Sequence, residues 1–137
     1  MVNSSRSFHT DWADGMVGDR RWTKSYSEIA VSFATALAEG RFDAAHALLT
    51  PDLMKELSPE TLRIRLYEMF AGYAEGEPTG IHYDEEFSMD DWFGRRPDEI
   101  GLAYVGIHGD SWNEAVTVAV REEKGSLAIS SVQWGRP

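Results

Sequence analysis

Residues 112–134 read WNEAVTVAVREEKGSLAISSVQW and decide the fold of the chain. Two runs rich in Val, Ile, Thr and Trp flank a short polar connection at 122–125, where Gly125 is free to adopt a positive φ. This pattern predicts a β-hairpin. Period-two alternation places one set of side chains on a single face of the first strand, namely Trp112, Glu114, Val116, Val118 and Val120. Neither face is fully polar, so we expect helices against one side of the sheet and a pocket, a partner or solvent against the other.

Three helices are predicted ahead of this hairpin. The first begins near residues 25–27 and ends at Gly40, because its apolar side chains recur at helical spacing. The second is shorter and ends at Thr50-Pro51, since the residue before proline avoids the helical region. The third begins at Ser58-Pro59-Glu60, where Ser can cap free amide groups and Pro is tolerated at the first helical position.

The pattern changes to period two at Ile81, with strands predicted over 81–87 and 100–107 before the hairpin. Helices first and strands last predict an α+β domain in which three N-terminal helices pack on a curved, mainly antiparallel four-stranded sheet. Such a sheet leaves a cavity between the helices and its concave face. Residues 1–24 show no periodicity and are predicted to form an N-terminal arm, so the folded domain spans 25–137.

Composition narrows the class of protein. The chain has 137 residues, no cysteine and a formal net charge of −10. One domain is therefore expected, and disulfides and thiolate metal sites are excluded. Nucleic acid and anionic membrane surfaces are disfavoured as ligands, because phosphate groups attract clustered Lys and Arg, whereas a basic protein partner would suit this charge. The opening MVNSSRSFHTDW lacks the apolar core of a signal peptide, and no apolar run approaches the roughly 20 residues that span a bilayer, which predicts a cytoplasmic protein.

The order of elements resembles that of the nuclear transport factor 2-like superfamily, which includes ketosteroid isomerase and the polyketide cyclases. The resemblance covers about residues 25–135 and is carried by Ala38–Ala45, Leu48–Asp52 and the closing strand Ile129–Trp134. It implies a cystatin-like cone whose open end often holds a small apolar ligand. It also implies a domain of a kind that often forms a homodimer through the sheet.

Two further stretches of the sequence, Glu114–Val118 and Val132–Pro137, are similar to one branch of this superfamily. The branch comprises immunity proteins that neutralise toxins of bacterial competition systems. This similarity implies a small, acidic, cytosolic protein that has no catalytic residues and no cofactor and that recognises a protein toxin.

Enzymes of the superfamily use an acid and base pair inside the cone, and this sequence departs from that pattern. The polar candidates form no recognisable pair by spacing; they are Tyr26, Tyr67, His82, Tyr83, Tyr104, His108 and Gln133. The aromatic residues predicted to line a pocket, unless they simply fill the core, are Tyr26, Tyr67, Tyr83, Tyr104 and Trp134. No hydrolase elbow or Gly-rich phosphate loop is present. A non-catalytic binding protein is therefore preferred, and a small-ligand binder or an isomerase, cyclase or dehydratase using the cone stays open as the alternative.

The densest charged segment, residues 84–99, holds seven acidic side chains and two arginines. A polar stretch between two strands predicts a long surface loop, and long loops often carry function. Its charges would speed encounter with a basic protein, and its aromatic side chains would supply buried area. The residues predicted to contact such a partner are Asp84, Glu85, Glu86, Asp90, Asp91, Trp92 and Phe93.

Two other interpretations of this segment stay open. It can be a solvated loop whose Trp92 and Phe93 fold back over the sheet edge. Alternatively, the segment can bind a hard cation through the carboxylate oxygens of Asp84, Glu86, Asp90 and Asp91. The Asp-x-Asp-x-Asp-Gly spacing of a calcium loop is missing, and the four histidines lack zinc-site spacing, so no metal site is predicted.

Overall fold

The structure, a computed structural model, describes residues 22–71 and 76–135. Within these ranges the helices are α1 Ser27–Ala38, α2 Phe42–His46, α3 Pro51–Glu56 and α4 Pro59–Phe70. The strands that follow are β1 Gly80–Tyr83, β2 Glu99–His108, β3 Asn113–Glu123 and β4 Ser126–Trp134, with a 3₁₀ turn at Glu85–Phe87. The predicted α+β class, with N-terminal helices and a four-stranded antiparallel sheet, is confirmed. Residues 1–21 of the predicted arm lie outside the described residues.

The described residues form four helices where the sequence predicts three. The structure ends α2 at His46 and begins a new helix, α3, at Pro51. The Thr50 hydroxyl accepts a hydrogen bond from the N–H of Leu53 at 3.3 Å, and Pro51 occupies the first helical turn. Proline disfavours a helical conformation in the residue that precedes it, but it is well suited to the first turn of a new helix. Its fixed φ is helical, and the N–H that it lacks would have been unpaired there.

The start of α4 and the hairpin turn are formed by local chemistry and agree with the prediction. The hydroxyl of Ser58 accepts a hydrogen bond from the N–H of Thr61 at 3.1 Å, which caps α4. At the β3–β4 turn, Lys124 and Gly125 have φ of 51° and 87°. Two consecutive positive φ values define the tight turn whose twist matches that of the flanking strands.

The sheet is an antiparallel meander in the order β1-β2-β3-β4. One face, which we call the inner face, packs against the helices. Val105 pairs with Val116, and Ala103 pairs with Val118, and all four side chains are fully buried. The helices contribute the large side chains Phe33, Leu37, Leu62, Leu66 and Phe70 to the same core. The opposite side of the sheet, the outer face, carries no helix of the described chain.

Candidate functional site

Glu85 fastens the connection between β1 and β2, which we call the acidic loop (residues 84–98), to the segment that leads into α1. Its carboxylate accepts hydrogen bonds from the N–H groups of Thr23 and Lys24 at 3.0 and 2.8 Å and from the Ser27 hydroxyl at 2.6 Å. Partial burial raises the pKa of Glu85, but the hydrogen bonds from Ser27, Lys24 and Thr23 outweigh burial and lower the pKa to about 2. Glu85 is therefore an ionised structural anchor.

Asp90 attaches the acidic loop to the same segment a second time. Its carboxylate accepts hydrogen bonds from the Lys24 ammonium at 2.9 Å and from the Tyr26 hydroxyl at 2.8 Å. These two hydrogen bonds lower the pKa of Asp90. Burial, together with the hydrogen bond to Asp90, raises the pKa of Tyr26 to about 12. The sequence predicts that Asp90 contacts a partner, and the structure shows that its carboxylate, whose side chain is 62 % exposed, also binds Lys24 and Tyr26 within the chain.

The rest of the acidic loop is held by hydrogen bonds to β2 and by hydrogen bonds that Arg95 makes near the end of the loop. Met89 exchanges two backbone hydrogen bonds with Leu102, at 2.9 and 2.8 Å. The guanidinium of Arg95 donates to the Asp91 carboxylate at 2.7 Å and to the Glu99 carbonyl at 2.9 Å. The acidic loop is thus held at Met89 through its backbone and near its end through the side chain of Arg95.

Three apolar side chains of this anchored loop face solvent. Phe93 is fully exposed, Phe87 is 66 % exposed and Met89 is 45 % exposed. Among the described residues, one other large apolar side chain, Ile64 on α4, is comparably exposed at 41 %. Trp92 is half-buried, but Phe93 does not fold back over the sheet edge. Exposed apolar groups with a polar rim are typical of interaction sites.

Phe87 and Met89 border a groove of about 360 Å³ on the outer face. Its floor crosses three strands, because Tyr104 of β2 pairs with Thr117 of β3, and Thr117 pairs with Gln133 of β4. The full lining is Phe87, Met89, Leu102, Tyr104, Thr117 and Gln133. The groove therefore adjoins the acidic loop directly, and we call it the outer-face groove.

The sequence pattern does not predict the exposed position of Phe87, because it indicates one continuous strand from Ile81 through Phe87. The structure ends β1 at Tyr83. The Asp84 carboxylate then accepts a hydrogen bond from the N–H of Glu86 at 3.0 Å and caps a 3₁₀ turn. This turn breaks the alternation of the strand. An Asp that begins an acidic run is a turn signal, and it could have marked the boundary.

The aromatic residues predicted to share a pocket lie in different places. Tyr104 lines the outer-face groove, whereas Trp134 lines a second cavity, beside β4. The hydroxyl of Tyr67, on α4, donates to Glu77. Tyr104 and Trp134 thus line different cavities, and Tyr67 lines neither of these two.

Tyr26 and Tyr83 are buried and join the anchor of the acidic loop. The Tyr83 hydroxyl forms a 2.6 Å hydrogen bond with that of Ser27, and the Trp22 ring meets the Tyr83 ring edge-on with centroids 5.0 Å apart. The Tyr26 ring covers Gly101 of β2 so closely that a Cβ there would lie 2.1 Å from it. Both tyrosines thus pack the domain.

The second cavity, of about 480 Å³, lies between α3, α4 and β4. Arg65, Arg96 and Arg121 contribute to its lining together with Asp52 and Glu56. Arg121 is already paired, since its guanidinium contacts the Glu123 carboxylate at 2.9 Å. Because positive and negative side chains offset each other here, the cavity favours no ligand of one charge.

Two of the polar candidates, His82 and His108, lie near each other on the outer face. His82 pairs with Gly106 and His108 pairs with Gly80, which makes the two histidines diagonal neighbours on adjacent strands. His82 is exposed, so the pair lies on an open surface. Acid–base catalysis depends on a positioned group in a water-poor site, and this location does not provide one.

In the described ranges, no group of three or more His, Asp or Glu side chains is arranged to hold a metal ion. The helices of the part of the chain that the structure covers are all too short or too polar to cross a membrane.

Comparison with known proteins assigns neither a family nor a function to the chain. No protein-family model matches the sequence, and neither curated proteins nor solved structures gave a significant match. The similarity to the nuclear transport factor 2-like superfamily and to its immunity-protein branch therefore stays a prediction.

Proposed function

We propose that this protein is a non-catalytic binding protein that recognises a protein partner through the acidic loop and the adjoining outer face. The observation that supports it most is Phe93, a fully exposed aromatic side chain on a loop anchored by Glu85 and Asp90. Aromatic side chains that become buried on association dominate many binding interfaces. A loop that is already ordered loses little conformational entropy when it binds.

The charge of the acidic loop supports a basic partner. Asp91, whose side chain is 81 % exposed, and the exposed Glu86 lie in the same loop as Phe93. Glu85 and Asp90 tie the acidic loop to the segment before α1, and Asp84 caps the 3₁₀ turn. Asp91 instead pairs with Arg95 of the same loop and stays 81 % exposed, so we assign partner contact to Glu86, Asp91 and Phe93. Exposed acidic groups around an aromatic anchor speed the encounter with a basic surface and disfavour acidic competitors.

The similarity to immunity proteins directs the search for this partner to bacterial toxins with a basic surface. Under this proposal the protein acts by occupying the surface of the toxin, so it needs neither a cofactor nor a catalytic pair. The cytoplasm is the compartment proposed for this encounter.

The alternative function, a small-ligand binder or an isomerase, cyclase or dehydratase working between helices and sheet, has less support. The side chains there are apolar and essentially without solvent exposure, as for Phe33, Leu37, Leu62 and Leu66. An acid–base site needs a polar group with a shifted pKa in a cavity. The pKa shifts of Tyr26, Glu85 and Asp90 instead belong to the anchor of the acidic loop.

Affinity capture from the host lysate tests the proposal with a matched pair of charge reversals. Asp91→Lys changes the acidic loop, and Glu68→Lys makes the same change on the exposed surface of α4. We expect the wild type and Glu68→Lys to retain one stoichiometric partner at low salt. Asp91→Lys should retain about tenfold less, and high salt should weaken capture because it screens surface charges. Equal capture by both variants, or no partner at any salt, would contradict the proposal.

A further inference from the structure

We infer that the outer-face groove receives an apolar side chain of the partner that is flanked by Lys or Arg. This inference rests on the proposed function and extends it, because it names what the partner presents and where that group lies.

The groove has the size and lining for such a side chain. Its volume of about 360 Å³ lies near the lower end of the roughly 300–1,000 Å³ typical of ligand clefts. Phe87, Met89 and Leu102 supply apolar surface, and polar atoms come from side chains of the floor such as Thr117 and Gln133. A group of side-chain size would thus lose water against apolar walls and keep polar partners at the floor.

Charge indicates what flanks that side chain. The wall that supplies Phe87 and Met89 belongs to the acidic loop, and exposed Glu86 directly precedes Phe87 in the chain. Lys24 is engaged by Asp90 at 2.9 Å, which partly neutralises that cation at the edge of the loop. Cationic residues on either side of the inserted group would therefore meet the exposed carboxylate of Glu86 and, farther along the loop, that of Asp91, which is paired with Arg95 but is 81 % exposed.

The same charges disfavour a second copy of this chain as the occupant. A two-fold symmetric interface brings one surface patch against its own copy. Each copy carries a net charge of −10 and the same acidic loop beside the groove. The two acidic loops of such a pair repel each other, whereas a basic partner is attracted to the loop beside the groove.

The wall of the groove is formed before any partner binds. Met89 is tied to Leu102 through two backbone hydrogen bonds, and Glu85 fixes the preceding turn to the approach of α1. A preformed wall spares the complex the cost of ordering it.

Backbone amide NMR on the full-length protein tests the inference with three capped peptides. Gly-Lys-Phe-Lys-Gly contains the predicted feature, Gly-Lys-Ser-Lys-Gly lacks the apolar group, and Gly-Glu-Phe-Glu-Gly reverses the charge. We expect the first peptide to bind at least about tenfold more tightly than the other two. Its shifts should centre on the lining residues Leu102, Tyr104, Thr117 and Gln133. Equal affinities, no saturable binding, or shifts centred on another surface would overturn the inference.

A pair of variants separates this inference from the proposed function. Tyr104→Lys places a cation in the groove, and Asn113→Lys makes the same charge change at an exposed position of β3. We expect Tyr104→Lys, but not Asn113→Lys, to weaken peptide binding about tenfold. If the captured partner loses affinity for Phe93→Ser but not for Tyr104→Lys, the groove inference falls and the proposed function stands. If it tolerates both changes, both fall. A dimer in sedimentation that Tyr104→Lys dissociates would assign the groove to a second copy and overturn the inference.

Discussion

At Glu85, four hydrogen bonds from Thr23, Lys24 and Ser27 converge on one carboxylate. They stabilise its charged form, so the folded protein lowers the pKa of Glu85 to about 2, below its ordinary value of 4.5. A group whose pKa is depressed by folding contributes stability above its unfolded pKa. That contribution is lost as the pH falls from about 4.5 toward 2, because the unfolded state then binds the proton more readily.

Glu85→Gln should therefore destabilise the fold at neutral pH. We expect its free energy of unfolding at pH 7 to fall by roughly 1–2 kcal/mol, allowing for solvent screening of a side chain that is only partly buried. The difference from wild type should shrink as the pH is lowered through the window just given. Urea unfolding at several pH values measures this, with the exposed neighbour Glu86→Gln as control. Equal effects of the two substitutions would refute the anchoring role of Glu85.

Gly101 is a second residue on which the anchor depends. Gly101→Ala would place a methyl group 2.1 Å from the Tyr26 ring, so the ring must move and strain its hydrogen bond to Asp90. We expect a loss of roughly 2–3 kcal/mol in unfolding free energy. Gly106→Ala on the same strand is the control, because its nearest non-neighbour atom lies at 3.4 Å and the added methyl needs little adjustment. Similar urea midpoints for the two variants would contradict the close packing of Tyr26.

At the scale of elements, boundaries set by local chemistry could be predicted and those set by distant contacts could not. The start of α4 follows from Ser58-Pro59, and the hairpin turn follows from Gly125, because each acts on its own neighbours. The role of Glu85 was not accessible, since its partners lie about 60 residues earlier in the chain. A run of acidic residues in a sequence does not reveal which of their carboxylates are hydrogen-bonded within the folded chain.

Ser58→Ala tests the local cap of α4. Removal of the hydroxyl leaves the N–H of Thr61 without its 3.1 Å partner, so we expect a loss of about 1 kcal/mol in unfolding free energy. Ser32→Ala, at an exposed position within α1, is the matched control and should be neutral or slightly stabilising, because Ala is the better helix former. Thermal or urea unfolding of both variants measures the difference. A cap variant as stable as the control variant would mean that α4 does not depend on Ser58.

Across the whole molecule, the two faces of the sheet have separate tasks. The inner face buries the core against α1 and α4, and the outer face lies open beside the acidic loop. The alternation of β3 predicted which side chains group together, but not which group faces the helices, since that depends on the packing of the entire domain. Because the exposed side chains of the acidic loop contribute little to the core, binding and stability should respond to different substitutions.

The affinity of the captured partner for Phe93→Ser tests this separation most directly. Ile64→Ser on α4 is its control, since it also removes an exposed apolar side chain, at a site far from the acidic loop in sequence. We predict that binding measured by calorimetry is weakened about tenfold or more in Phe93→Ser, whereas Ile64→Ser binds the partner as wild type does. Both variants should unfold at the wild-type urea midpoint. Wild-type affinity in Phe93→Ser would contradict the proposal that the acidic loop recognises the partner.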